Sequence, residues 1–258
     1  MMNEPTSAGQ SPTRLFLIRH GQAHSNVDPV IAGMRGDRGL TEMGVRQAHR
    51  LRDRLAASGE IRADVVIAST LPRARQTAEI LAPALDRPIV FDDEVQEMRS
   101  GAEADGLPLA EYKRRFGWVD LEAEPLRPID PDGESWATFL LRVATALDRI
   151  AREHAGQTIA VITHGGVIDG SFVHFFGLNG FRVPEAGFFT HNTSITEWER
   201  VPRRGQMRWR LVRYNDDTHL HGFERPEWLD WSAIEAAPAA AEEAPPVPLP
   251  TEPDPAAP

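Results

Sequence analysis

Residues 15–26, Leu-Phe-Leu-Ile-Arg-His-Gly-Gln-Ala-His-Ser-Asn, decide how this chain is to be read. Leu15, Phe16, Leu17 and Ile18 form a short unbroken apolar run without polar alternation, the pattern of a strand buried on both faces. Such strands belong to sheets covered by helices on either side. This one stops abruptly at Arg19-His20-Gly21. A cation and an imidazole at the end of a buried strand need a reason, and the glycine beside them permits close backbone approach.

The rest of the chain repeats the theme. Val45, Ala48, Leu51 and Leu55 recur at three- and four-residue spacing and predict an amphipathic helix over 41–57. Val65 to Ala68 predicts a second buried strand, followed by a helix with Ala74, Thr77, Ala78 and Leu81 on one face. Ile89, Val90 and Phe91 predict a short third strand. Trp136, Phe139, Leu140, Val143, Leu147 and Ile150 form the clearest helical stripe, with Trp136 and Phe139 as core. Residues 158–163 (TIAVIT) form the clearest strand. A helix is expected from about Val167, then strands over 195–199 and 207–214 joined by a turn around 202–205. Strands alternating with helices imply an α/β domain: a three-layer αβα sandwich with a mostly parallel central sheet.

Composition sets the outer bounds. The 258 residues are 41% hydrophobic, enough for a sizeable core, and the absence of cysteine removes disulfides, thiolate metal sites and cysteine nucleophiles. No apolar run approaches the roughly 20 residues that span a bilayer. The first residues lack the basic start and apolar stretch of a secretion signal, so the expected location is the cytoplasm and no membrane partner is expected. A net charge of −10 argues against nucleic acid, whose backbone calls for a basic face. Five acids and no Lys or Arg fall in 235–258 among prolines and alanines, which predicts a disordered acidic tail over 233–258. The expected organisation is a flexible segment over 1–13, one domain over 14–232, and a lid or insertion over 99–133 carrying a helix near 111–116.

In open α/β sheets, ligands bind beyond the carboxyl ends of the strands. Three of the expected strands deliver chemistry there: Arg19-His20-Gly21, then Ser69-Thr70-Leu71-Pro72-Arg73, then Thr163-His164-Gly165-Gly166. Guanidiniums bind phosphate oxygens in pairs, and an imidazole can attack phosphorus or donate to it. Two guanidiniums and an imidazolium can offset the charge that Mg²⁺ handles in other phosphoryl-transfer sites, so neither metal nor other cofactor is expected.

Taken together, these motifs resemble those of the histidine phosphatase superfamily, also called phosphoglycerate mutase-like. The resemblance spans roughly 14–214. It includes Arg19-His20-Gly21, Asn26, the run from Asp37 through Leu40-Thr41 and Gly44 to Gln47-Ala48, and the Ser69/Leu71/Arg73/Ala74/Thr77/Ala78 motif. Glu97 with Gly101, Thr163-His164-Gly165-Gly166 and Asn192 with Ser194-Ile195 complete it. It implies a phosphomonoesterase in which His20 attacks phosphorus and becomes a phosphohistidine. Arg19, Arg73, Asn26 and His164 would hold the phosphoryl oxygens with Gly165 beside them, and Glu97 would protonate the leaving oxygen and then activate water. His20 would have to be neutral and His164 a cation, so their environments are expected to push their pKa values apart.

Glu134 is the alternative to Glu97 as proton donor, with Glu94 and Asp169 also near in type. His24 reads as a pocket-lining or surface residue, Arg75 as solvent-facing or salt-bridged, Lys113-Arg114-Arg115 as a solvated helix face, and the alternating His219 and His221 as surface residues. Ala102-Glu103-Ala104-Asp105-Gly106 departs from the aromatic and Glu-Gly pattern that many members carry after the acid motif, so the substrate wall is where this chain is expected to differ. The alternatives to a phosphatase are a mutase that returns the phosphoryl group to another hydroxyl, and a catalytically silent phospholigand-binding module. The partner expected is a small phosphorylated substrate; its identity and the oligomeric state stay open.

Overall fold

The structure, a computed structural model, describes residues 11–223; the expected tail and most of the N-terminal segment lie outside the described residues. The first strand, β1 (Thr13–Arg19), places Leu15 and Leu17 on one face of a sheet and Phe16 and Ile18 on the other, all fully buried. Its neighbours are β4 (Thr158–Thr163), parallel, and β5 (Ile195–Arg203), antiparallel. With β2 (Val65–Ser69), β3 (Ile89–Asp92) and β6 (Gln206–Asp216) the six strands are ordered β3-β2-β4-β1-β5-β6. The first four strands run parallel, and the β5–β6 hairpin extends the sheet in the antiparallel sense. Pro202 lies within β5, so the turn is confined to Arg204 and Gly205, both at positive φ.

Helices α1 (Glu42–Ser58) and α2 (Pro72–Leu85) cover the face that holds Phe16 and Ile18, with Leu51, Leu55, Ala78 and Leu81 in contact with them. Helices α4 (Trp136–Glu153) and α5 (Gly165–Phe175) cover the other, where Phe139, Val143, Leu147, Ile168 and Phe172 meet Leu15 and Leu17. This is the three-layer α/β arrangement expected, and the chain changes face between β3 and β4. Thr41 caps α1 by accepting from the Gly44 N–H, and Ser135 caps α4 through Thr138. The helix expected from Val167 begins two residues earlier, directly after His164, because the two glycines occupy its first turn.

The 99–133 segment folds on its own small core. Helix α3 (Leu109–Phe116) buries Leu109 and Tyr112 beside Ala104, and the Tyr112 hydroxyl donates to the Ile129 carbonyl at 2.6 Å. A single carboxylate ties this segment to residues 29–36: Asp105 accepts from the backbone N–H groups of Gly33 (2.8 Å), Arg35 (2.8 Å) and Gly36 (2.9 Å). Among the described residues no helix is long and apolar enough to cross a membrane.

Candidate active site

Register aligns the carboxyl ends of the parallel strands: Arg19 pairs with Thr163, and Ser69 with Asp92. The residues that follow these ends meet in one place. His20 donates its backbone N–H to Thr163 O at 2.9 Å, and its carbonyl accepts from the Asn192 side chain at 2.9 Å. Thr77 on α2 accepts from the Gly21 N–H at 3.1 Å. The backbone around His20 is therefore held from three separate parts of the chain.

The ring of His20 has a defined tautomer. Nδ1 lies 2.7 Å from the Gly21 carbonyl, which can only accept, so Nδ1 carries the hydrogen. The lone pair is then on Nε2, where the Nε–H of Arg73 donates to it at 3.2 Å. Arg73 is itself fixed: its Nη1 donates to Asp37 at 2.8 Å and to the Ala32 carbonyl at 3.1 Å, and its backbone N–H reaches the same Asp37 oxygen at 3.2 Å. Arg19 is held by a hydrogen bond from Nη1 to the Thr190 carbonyl, and burial lowers its pKa to about 10.

His164 lies behind His20, fully buried, with ring centroids 5.1 Å apart. Its Nε2 is 2.7 Å from the Ser69 hydroxyl, and its Nδ1 is buried without a hydrogen-bond partner. Burial first, and then the charge of Arg73, holds both imidazoles well below the usual histidine value; Arg19 adds to His20, and the neighbouring His20 ring to His164. The expectation of a cationic His164 meets the opposite direction: both rings are pushed toward the neutral form, by burial first and then by the arginines.

Glu97 follows β3 and accepts from the N–H groups of Met98 and Gly166, each at 3.0 Å. Gly166 must lack a side chain, since a Cβ there would overlap Oε1 of Glu97 and crowd Phe139. Glu134, the alternative donor, is engaged elsewhere: it forms a two-pronged ion pair with Arg142 (2.6 Å to each oxygen) and accepts from the Arg99 N–H. Glu94 pairs with Arg99. Asp169, one turn into α5, has its pKa pushed up to about 7 by burial and then by the charge of Glu97.

A cavity of about 270 Å³ opens over Arg19, His20, Asn26, Arg73 and Glu97. His164 and Gly165 are not on its wall; Gly165 packs against the guanidinium of Arg19 at the first position of α5. The side-chain oxygen of Asn26 accepts from the Ala23 N–H at 3.0 Å, which leaves its amide hydrogens for the cavity. A larger, mostly apolar groove of about 540 Å³ lies between α4 and α5, remote from these groups and lined by residues such as Leu141, Val173 and Phe181.

The remaining polar residues sort as follows. His24 faces Asp28 at 3.5 Å at the surface, Arg75 pairs with Glu79, and Arg114 and Arg115 pair with Glu111. His219, for which the sequence assigns no role, is half-buried. It lies in a short 3-10 turn with Nε2 2.9 Å from Thr193 Oγ1, and burial lowers its pKa to about 4. Sequence reasoning missed the functions of Asp37, Ser69, Thr190 and Asp105. Asp37 and Ser69 stood inside the quoted motifs, and a buried acid 36 residues before an arginine was the available signal for the first.

A family model described as histidine phosphatase superfamily (branch 1) matches residues 15–217. The bifunctional protein Rv2228c of Mycobacterium tuberculosis is 38% identical over 162 residues, which are 62% of this chain and 43% of that protein. The chain thus matches less than half the length of that mycobacterial relative. A protein of Bacillus subtilis named as the uncharacterized phosphatase PhoE is 26% identical over 215 residues, covering 82% of this chain and 98% of its own. Among solved structures, the mycobacterial glucosyl-3-phosphoglycerate phosphatase Rv2419c superposes with a TM-score of 0.65 at 24% identity, over 80% of this chain and 99% of that one.

Proposed function

Because the chain belongs to the histidine phosphatase superfamily, we propose that it is a phosphoric monoester hydrolase that works through a phosphohistidine on His20. One observation carries this reading: the Gly21 carbonyl holds the hydrogen of His20 on Nδ1, so the nitrogen with the free electron pair is Nε2, beside Arg73 at the cavity wall. A nucleophile must be unprotonated to attack, and burial between two arginines keeps this one so.

In the first step Nε2 forms a bond to phosphorus as the ester P–O bond breaks, and its electron pair leaves with the alcohol oxygen. Glu97, protonated at that moment, supplies the proton to that oxygen. In the second step Glu97 takes a proton from water, whose oxygen bonds phosphorus as the P–N bond breaks, and the product is inorganic phosphate. Arg19, Arg73 and the amide of Asn26 stabilise the charge on the equatorial oxygens. His164 lies off the cavity wall behind His20, where the charge of a bound dianion would raise the pKa of its ring again. A relative named as a phosphatase is in keeping with hydrolysis, while other relatives are named as phosphoglycerate mutases. A cytoplasmic setting belongs to the same proposal.

The test is brief exposure to excess p-nitrophenyl phosphate, denaturation in alkali and mapping of the phosphoryl group by mass spectrometry. The label is expected on the ring of His20 and nowhere in His20→Ala. Equal hydrolysis by the two proteins would refute the reading, and phosphoryl migration on 3-phosphoglycerate without phosphate release would replace it with a mutase.

A further inference from the structure

Beyond the groups assigned to the phosphate, the cavity wall is made of Val30, Ile31, Ala32, Met98 and Ile129, with the hydroxyls of Ser25 and Ser100 at its edge. Among the described residues, Arg19 and Arg73 are the cations that line it, and both face the phosphoryl position. The other arginines nearby are tied down by different partners. Arg35 donates to the carbonyls of Ala102 and Asp105, Arg38 to Asp28, and Arg99 to Gln96 and Asp93. Glu97 is the acid among the lining residues.

The wall is also preformed. Ile31 donates to the Leu107 carbonyl (2.9 Å) and accepts from Gly106 (2.8 Å), Val30 bridges to Pro108, and Asp105 clamps the turn that follows. A site whose apolar walls are fixed and whose lining cations are assigned to the phosphate offers a second anionic group on the substrate only the hydroxyls of Ser25 and Ser100 among the described side chains, and no charge. A carboxylate placed there would lose its hydration and face Glu97.

We propose, resting on the phosphatase reading, that the substrate is a small phosphomonoester whose leaving alcohol is uncharged and largely apolar, and that Ile31, Met98 and Ile129 select it against carboxylated esters. At about 270 Å³ the cavity lies below the roughly 300–1,000 Å³ of sites for drug-sized ligands, which limits the alcohol to a short chain or a single ring.

A matched pair of esters tests this without confounding the leaving group. Glycerol 3-phosphate and 3-phosphoglycerate are both alkyl esters and differ in carrying a hydroxymethyl or a carboxylate at the far carbon. The expected kcat/KM is at least tenfold higher for glycerol 3-phosphate, with n-butyl phosphate at least its equal. Ile129→Arg, and separately Ile31→Lys, should narrow or invert that ratio, judged on whichever variant keeps the wild-type melting profile. A kcat/KM for 3-phosphoglycerate equal to or above that for glycerol 3-phosphate overturns the substrate class while leaving the phosphatase intact. No phosphate release from any ester, p-nitrophenyl phosphate included, overturns both readings.

Discussion

Arg73 is shared between Asp37 and His20: Nη1 donates to the carboxylate at 2.8 Å while Nε donates to the imidazole at 3.2 Å. The acid therefore sets the direction from which the guanidinium approaches the His20 ring. Both charged partners are buried, so removing one strands the other, at a cost of about 3–5 kcal/mol. Asp37→Asn keeps the shape but not the charge. It is expected to lower the melting temperature and to reduce kcat on p-nitrophenyl phosphate by at least tenfold; a variant as active as wild type would show that Arg73 needs no such anchor.

The neutral histidines predict a direction for pH effects. An imidazole whose folded pKa lies below its unfolded value binds fewer protons when folded, so stability falls as pH drops through about 6.5 and below. His164→Gln removes one such group. The melting temperature of the wild type should therefore fall faster between pH 7 and pH 5 than that of the variant. The acid limb of kcat/KM, which reports His20 in the free protein, should also lie below pH 6.5. Parallel melting curves for the two proteins across that range would contradict the assignment.

Asp169 behaves in the opposite sense. Its folded pKa of about 7 lies above the ordinary 3.8, so the native state binds the extra proton in that window and stability declines as pH rises from about 4 to 7. Asp169→Asn cannot ionise. Its stability relative to wild type should grow over that interval and level off above it, by at most a few kcal/mol given the residual exposure of the site. Calorimetry at pH 4, 6 and 8 reads the trend, and a difference independent of pH would refute it.

Asp105 makes its three backbone contacts with residues 33–36, next to the cavity-lining Ile31 and Ala32. Asp105→Ala should loosen residues 30–36 and raise KM several-fold, since hydrogen bonds to charged acceptors are worth about 1.5–3 kcal/mol each when buried and less at a partly exposed turn. The effect on kcat should be smaller. An equal fall in kcat with unchanged KM would place Asp105 in the chemistry instead.

The reading also implies that divalent metal can be withdrawn, because Arg19 and Arg73 supply the positive charge. Dialysis against EDTA should leave phosphate release unchanged; loss of activity restored by Mg²⁺ or Zn²⁺ would require a different mechanism.

Arg19, His20, Arg73 and His164 were legible in the sequence because each follows an apolar run whose end is marked by glycine or proline, and strand ends in a parallel sheet converge. Glu97 could not be separated from Glu134 by spacing alone. In the structure Glu134 is paired with Arg142 on α4, whereas Glu97 lies on the cavity wall. Asp105 was visible as a departure from a pattern, but its use was not, because the backbone N–H groups it binds lie about 70 residues away. The contact of His219 was not legible for a similar reason: its hydrogen-bond partner Thr193, at a positive φ, lies 26 residues away. The helix boundaries, set by Thr41, Ser135 and the paired glycines after His164, were legible to within about two residues.

The central position of β1 governs when a nascent chain can become competent. This strand waits for partners more than 140 positions later, and the carbonyls of Arg19 and His20 accept from Thr193 and Asn192. Contacts of such long sequence separation form slowly and late. Translation must therefore pass Ser194 before His20 has its backbone scaffold, and a polypeptide released earlier would carry that imidazole without the architecture that holds it.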